Sequence, residues 1–457
     1  MVPQFTSVSS TYLLNTENKN LPDAPVVLKR EEHNISRDNI SEHALKVLYR
    51  LKKSEHAAYL VGGGVRDLLL DRHPKDFDVA TDALPENISS LFRNSRLIGR
   101  RFRLVHVHFG KEIIEVATFR GHESDISDEG INGRDMRDGM LIRDNVFGTI
   151  EEDAWRRDFT INSLYYNIQD FTVVDYTGGL EDLENRLIRI IGDPHQRYRE
   201  DPVRMLRATR FAAKLDFDIE AQTEAPIYEL ADRIIHVPPA RLFEEVLKLF
   251  LSEHAVATYK LLRKYKLFDH LFPYTAARIN AEDPEDSSTD KFIIQGLKNT
   301  EARIAEGKPV NPAFLYSIML WGPMQDLVAE NINRGARPLQ AFQMAGSDII
   351  SRQSKLISLP KRFSTQIREI WSLQVRLGNR NGKRAHRLVT LPRFRAAYDF
   401  LLLRAKSIEP ELVSLGEWWT EFQEASDKDR SLMVKKVQPA RRKGKRSRKR
   451  RRQASDQ

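Results

Sequence analysis

The stretch that most constrains this chain is Leu60–Thr81, LVGGGVRDLLLDRHPKDFDVAT. An apolar run, Ala57–Val61, ends in Gly62-Gly63-Gly64, so a strand enters a tight turn. Val65–Leu70 is then helical and Asp76–Val79 forms a second strand. A glycine turn at a helix start lets backbone N–H groups approach an anion, and the helix N-terminus adds partial positive charge. Arg66, one turn into the helix, is spaced to add a bidentate phosphate contact. Taken alone, the glycine run is equally an ordinary tight turn. Asp76 and Asp78 shift that balance: two apart on a strand, they share one face while Phe77 and Val79 share the other. Paired carboxylates repel unless a cation lies between them, and hard oxygen donors select Mg²⁺ or Mn²⁺. The pattern points to a metal–triphosphate site more than to a solvated strand edge. Glu115 is the natural third carboxylate, because it lies in EIIEVATFR among Ile113, Ile114, Val116 and Phe119. An acid in such a strand is costly to bury without a charged partner. The alternative is that Glu115 faces solvent or pairs with Arg120.

The surrounding pattern places this site in an α+β region. A helix starts near Ser41 with Leu45, Leu48 and Leu51 on one face. Leu104, Val105 and Val107 lead through Gly110-Lys111 into Ile113–Phe119, a β-hairpin. Residues 124–144 are rich in Gly, Asp and Arg and read as a mobile loop, and the first 35 residues as disordered. Beyond about residue 195 strand signals nearly vanish, and Arg204–Leu215, Arg241–Leu251 and Phe394–Ala405 carry helical periodicity.

Charge is unevenly placed. The 457 residues carry 73 Lys or Arg and 64 Asp or Glu, a formal net charge of +9. Twelve of those bases and no acid lie between Lys435 and Arg452, which leaves 73 − 12 = 61 bases against 64 acids elsewhere, a net of −3. The body is nearly neutral, and the C-terminal run is suited to displacing counterions from a polyanion. A nuclear-localisation signal or an anchor for an acidic surface has the same composition. The absence of cysteine excludes disulfide scaffolds, thiolate metal sites and cysteine nucleophiles, and fits a reducing, cytoplasmic setting. No run approaches the ~18 apolar residues of a membrane span, and MVPQFTSVSS has no secretory pattern, so no membrane insertion is expected.

The glycine turn, the DxD strand and their spacing resemble the nucleotidyltransferase superfamily. EEDAWRRDFTINSLYYN (Glu151–Asn167) and EDPVRMLRATRF (Glu200–Phe211) narrow the resemblance to its bacterial group of CCA-adding enzymes and poly(A) polymerases. Physically, Asp201 before Pro202 is a helix N-cap followed by proline at the first helical position. Arg204, Arg207 and Arg210 recur every three residues along one face, with Met205, Leu206 and Ala208 elsewhere. The resemblance implies that Asp201 and Arg204 read the base, that Arg207 and Arg210 support that pocket or the phosphates, and that Gly62, Gly63 and Arg66 hold the triphosphate. It places Arg157 and Asn162 near ribose and phosphates and makes Asp158 part of the active site beside Asp76, Asp78 and Glu115. Capping and base reading compete for the one Asp201 carboxylate.

Within the group, LIGRRFRLVHVHFG (Leu97–Gly110) is similar to the stretch that separates bacterial poly(A) polymerases from CCA-adding relatives. The helical part lacks the HD-type phosphohydrolase pattern of some of those relatives. NPAFLYSIMLW (Asn311–Trp321) and KRAHRLVTLPRFRAAYDFLLLRA (Lys383–Ala405) look like the polymerases' helical body. The resemblance implies a disordered segment (1–35), an α+β catalytic head with a small mixed sheet (36–195), a helical neck (196–260), a helical RNA-binding body (261–425) and a disordered basic tail (426–457). It implies template-independent transfer of AMP from ATP to RNA 3′ ends with release of pyrophosphate by two-metal catalysis with Mg²⁺, Mn²⁺ being the alternative ion, a role in RNA turnover, and RNA-degradation proteins as partners. A CCA-adding tRNA nucleotidyltransferase and a non-catalytic RNA-binding protein on the same scaffold are the rival readings. Trp418-Trp419 is read as core rather than as a base-stacking platform.

Overall fold

The computed structural model describes residues 24–99, 103–121, 134–137, 140–144 and 146–437. Its strands are β1 (Val26–Leu28), β2 (Ala58–Val61), β3 (Asp78–Thr81), β4 (Ser95–Ile98), β5 (Leu104–Phe109), β6 (Glu112–Thr118), β7 (Arg134–Arg137), β8 (Met140–Asp144), β9 (Leu164–Asn167), β10 (Val173–Asp175), β11 (Leu187–Ile188) and β12 (Asp218–Ile219). Eight of them form one mixed sheet in the order β1-β10-β9-β2-β3-β6-β5-β4. Within it β3 and β6 run parallel, with Asp78 opposite Glu115 and Val79 opposite Val116. The other pairings are antiparallel. Strand alternation then sorts the side chains. Leu60, Val79, Val105 and Val116 are buried together on one face, against α1 (Glu42–Lys53) with its Ala44, Val47, Leu48 and Leu51. Val61, Ala80 and Tyr165 cover the other face and pack with Ala154 of α4 (Ile150–Arg156). Asp78 lies at the open end of this second face.

The remaining helices of this part of the chain are α2 (Gly63–Leu69), α3 (Pro85–Leu91), α5 (Gly179–Glu184), α6 (Pro194–Glu200), α7 (Val203–Leu215), α8 (Ala221–Leu230), α9 (Pro239–Phe250), α10 (Ala255–Lys264) and α11 (Leu267–Leu271). They complete a first compact unit that ends at Phe250 and resumes over His254–Leu271, so the expected head and neck fall in one unit. The second unit holds α12 (Pro273–Ala281), α13 (Ser288–Ala305), α14 (Pro312–Met319), α15 (Trp321–Asn333), α16 (Pro338–Leu356), α17 (Lys361–Leu377), α18 (Lys383–Val389), α19 (Phe394–Ser407), α20 (Val413–Glu424) and α21 (Asp427–Val437). Trp371 donates its Nε1–H to the Ser317 carbonyl at 3.2 Å, and Trp419 donates to Leu377 at 3.0 Å. Trp419 is fully buried, and Trp418 stacks on Phe422 with ring centroids 4.7 Å apart, so the tryptophan pair is core. Among the described residues no helix is long and apolar enough to cross a membrane.

The chain departs from its sequence-based reading in several places. Residues 24–35 are ordered rather than disordered: β1 pairs with β10, and His33 Nε2 meets the Phe171 carbonyl at 2.8 Å. Three consecutive apolar residues were enough to complete a sheet edge. Residues 1–23 lie outside the described residues. Within the expected mobile loop, 134–137 and 140–144 form the antiparallel strands β7 and β8, while 124–133, 138 and 139 lie outside the described residues. The start of the expected basic tail folds as α21, because Val434 buries against the Trp419–Phe422 cluster and Arg430 donates to the Phe422 and Gln423 carbonyls. Residues 438–457 lie outside the described residues. Strand β12, paired in parallel with β11, interrupts the region beyond about residue 195 that the sequence marks as helical. Strand β3 starts at Asp78, two residues later than expected, so Asp76 precedes the ladder.

Candidate active site

The glycine turn owes its shape to Gly62, whose φ of 71° is disfavoured for any side chain. A Cβ there would also lie 3.6 Å from Arg157 Nη1 and 3.9 Å from Asp78 Oδ2. Turn, guanidinium and carboxylate therefore meet at one point. At Gly64 the chain before β3 runs alongside, a Cβ there lying at an ordinary contact distance of 3.4 Å from the Asp76 carbonyl. Phe77 is buried, Asp76 is exposed and Asp78 is partly exposed, so the acids face away from the core although only Asp78 belongs to the ladder.

Three carboxylates gather here. Register sets Glu115 directly beside Asp78 on the adjoining parallel strand. Burial, then the charges of Glu115 and Asp76, push the Asp78 carboxyl up to about 6, and only Arg157 opposes this. Among the described residues neither Asp76 nor Asp78 has an ion-pair partner, and Glu115 is paired with His106 Nε2 at 3.1 Å rather than with Arg120. No group of three or more acidic, histidine or cysteine side chains among the described residues already converges on a metal position. The donor set still suits a hard divalent cation: oxygen ligands whose mutual repulsion Arg157 and His106 relieve only in part.

Behind the turn lies a connected ladder of charged groups. Lys214 of α7 donates to Asp67 Oδ2 at 3.1 Å, and Arg66 donates from Nε and Nη2 to Asp67 Oδ1 at 2.9 and 2.6 Å. Arg66 Nη1 reaches Asn162 Oδ1, and Asn162 Nδ2 donates to Asp158 Oδ1 at 3.3 Å. Arg207 Nε completes it at 2.6 Å from Asp158 Oδ2. Burial would raise the Asp158 carboxyl, but Arg207, Asn162 and the Phe159 N–H hold it down at about 2. Two expectations change as a result. Arg66 is 2% exposed and braces the turn from within, its guanidinium held by buried Asp67 and Asn162. Asp158 is satisfied by Arg207 and Asn162 and stands apart from the Asp76–Asp78–Glu115 group in its bonding. Arg157 is likewise anchored, donating to Asp153 Oδ2 and to Tyr165 Oη, while its Nη1 lies beside Gly62.

The helix that the sequence marks as nucleotide-selecting is buried on most sides. Asp201 does take the Val203 N–H, at 3.3 Å, although Pro202 occupies the cap position itself. Its carboxylate is gripped bidentately by Arg241 of α9, at 2.8 and 2.7 Å. Arg204 Nη1 donates to the Arg197 carbonyl at 2.7 Å and to Glu200 Oε2 at 3.3 Å. Arg197 spans Glu200 and the Arg156 and Arg157 carbonyls. Arg210 lies over the Phe211 ring at 4.5 Å, and its buried Nε has no hydrogen-bond partner among the described residues. Burial and the neighbouring Arg207 pull the Arg210 guanidinium down to about 10. A desolvated, under-neutralised arginine of this kind favours an anionic or acceptor group beside it. Sequence reasoning overlooked His106, Asp153, Arg197, Glu200 and Arg241. Asp153, Glu200 and His106 lie inside the quoted blocks, whereas Arg241 carried only a helix signal.

A site of this construction is that of a nucleotidyltransferase, the class of enzyme in which neighbouring strand carboxylates adjoin a glycine turn. Residues 58–189 match the Poly A polymerase head domain, residues 216–279 the "Probable RNA and SrmB- binding site of polymerase A", and residues 334–453 the polymerase A arginine-rich C-terminus. Poly(A) polymerase I of Escherichia coli O6:H1 is 54% identical over 415 residues, covering 90% of this chain and 88% of that protein. That of Haemophilus influenzae is 45% identical over 414 residues, covering 90% and 91%. The chain belongs to the poly(A) polymerase family. The Lactobacillus helveticus CCA-adding enzyme is 38% identical, over only 55% of this chain and 57% of its own. Among solved structures, the Bacillus stearothermophilus CCA-adding enzyme in complex with CTP matches with a TM-score of 0.54 at 25% identity, covering 83% of this chain and 80% of that one.

Proposed function

We propose that this enzyme is a template-independent polymerase that adds AMP from ATP to RNA 3′ ends and releases pyrophosphate. The observation that carries the chemistry is the register of Asp78 with Glu115 beside Gly62 and Arg157. Asp76 and Asp78, with Glu115 as third ligand, would hold Mg²⁺, Mn²⁺ being the alternative, and the bound ion supplies Lewis acidity toward the attacking hydroxyl and the leaving group. The chain's own residues do the positioning. The Gly62–Gly63 backbone and Arg157 receive the triphosphate. Asp201, fixed by Arg241, and Arg204 present hydrogen-bonding groups to adenine, while Arg210 supports that pocket from behind. The RNA 3′-oxygen bonds to the α-phosphorus as the bond to the pyrophosphate oxygen breaks, and orientation supplies much of the rate. Lys214, Arg66, Asn162 and Arg207 keep the turn and the selecting helix aligned.

The preference for polymerase over CCA addition rests on the relatives: poly(A) polymerases align at 45–54% over 90% of the chain, CCA-adding enzymes over about half of it. Cytoplasmic RNA turnover, with RNA-degradation proteins as partners, is the setting this reading implies. The deciding assay incubates the protein with an unstructured RNA and one nucleotide at a time. Long tails from ATP alone are expected, and loss of extension in Asp76→Ala and Asp78→Ala with RNA binding retained. Addition of CTP followed by ATP, stopping after three nucleotides, would overturn the reading in favour of CCA addition.

A further inference from the structure

One contact of the proposed metal site comes from outside the carboxylates. On the sheet, Asp78 of β3, Glu115 of β6 and His106 of β5 are consecutive register partners across three strands. Two like charges directly opposite one another repel, and the repulsion would swing the longer Glu115 side chain toward solvent. The Glu115 side chain is half-exposed, so packing does not hold it. His106 does: its Nε2 lies 3.1 Å from Glu115 Oε1, and its own side chain is only 20% exposed. A carboxylate accepts only, so the contact selects the tautomer in which Nε2 carries the proton. Oε2 of Glu115 has no partner among the described residues. The contact fixes one Glu115 oxygen on the β5 side and leaves Oε2 without such a partner, on a strand whose other neighbour carries Asp78. His108, two residues along the same strand face, meets the His106 ring edge-on at 6.1 Å and stands opposite Ile113.

We propose that His106 is a positioning residue that orients Glu115 toward the cation shared with Asp78. This rests on the metal reading of Glu115. The groups that orient a ligand matter nearly as much as the ligand, and their loss costs about 10–100-fold in metal affinity or activity. The test compares His106→Ala, His106→Gln, His108→Ala and Glu115→Gln, each checked for an unchanged unfolding midpoint. Glutamine carries an amide N–H at the reach of Nε2. The readouts are kcat and KM for ATP with Mg²⁺, and Mn²⁺ affinity by electron paramagnetic resonance with a non-hydrolysable ATP analogue. In His106→Ala, kcat and Mn²⁺ affinity should each fall about 10-fold or more, with KM for ATP nearly unchanged. Gln should restore most of both, and His108→Ala should match the parent protein. In the Glu115→Gln background, His106→Ala should add nothing. A His106→Ala enzyme with full kcat and Mn²⁺ affinity, or a Gln variant as defective as Ala, overturns the positioning role while a dead Glu115→Gln leaves the metal reading standing. Full activity in Glu115→Gln overturns both.

Discussion

Asp78 is placed where its charge is least welcome. Its carboxyl titrates near 6 in the folded protein, against about 3.9 when unfolded. The folded state therefore holds the proton more tightly, and this group costs stability as pH rises from about 4 to 6, with the full cost present above 6. In chelator at pH 7.5, Asp78→Asn should be more stable than the parent by about 1–3 kcal/mol while extension activity is lost. Denaturant melts of both proteins at pH 4 and pH 7.5 check it; equal stability at the higher pH would mean that the carboxylate is not strained. Arg241 makes a second case. Removing it strands the buried Asp201 carboxylate, so Arg241→Ala should lower the kcat/KM preference for ATP over CTP by about 10-fold or more. An unaltered ratio would detach Asp201 from base choice. The carboxylates and the glycine turn were legible in the sequence because their signal is local: alternation, glycine, proline. Arg241 lies forty residues from Asp201, and nothing local announces that pairing, whereas His106 faces Glu115 across the hairpin whose register the Gly110-Lys111 turn sets.

The same distinction holds for whole elements. Helix α7 and strands β2, β5 and β6 could be read from period and turn residues, and α1 starts at Ser41, whose hydroxyl accepts the His43 N–H. Strand β1 and helix α21 could not, because each is stabilised by what it docks against: β10 for one, Phe422 and Trp419 for the other. The interior bonding of α7 was equally hidden. Periodicity showed three arginines on a face, and the structure gives Arg207 to Asp158, across 49 residues of chain. Asp158 is held near 2, well below its unfolded value, so it contributes stability above about pH 4 that fades as pH falls toward 2. Asp158→Asn should remove about 2 kcal/mol at neutral pH and leave a shallower acid-side decline. Urea melts at pH 7 and pH 3 measure both, and a variant as stable as the parent at pH 7 would count against the Arg207 pairing.

Over the whole molecule, charge is what the sequence conveyed best. Residues 438–457 hold ten of the twelve bases in the C-terminal run, on a chain otherwise near neutrality. Removing them should weaken binding to a generic RNA and flatten its dependence on salt, since each lost phosphate contact lowers the log–log slope by roughly 0.7 for a single strand. Extension of a saturating short primer should persist. Filter binding between about 50 and 200 mM salt decides it, and an unchanged slope would give the segment another task.

The ladder from Lys214 to Arg207 carries a consequence for anyone redesigning the enzyme. Because Arg66, Asp67, Asn162 and Asp158 lock the floor of the glycine turn to α7 at two points, the proposed function implies that base choice and turnover are not separable modules. A chimera that imports a foreign α7 alone would mismatch both rungs and lose speed before it gained a new nucleotide. Importing it together with its own partners at 66, 67, 158 and 162 is the smallest exchange that keeps the hinge-pins seated.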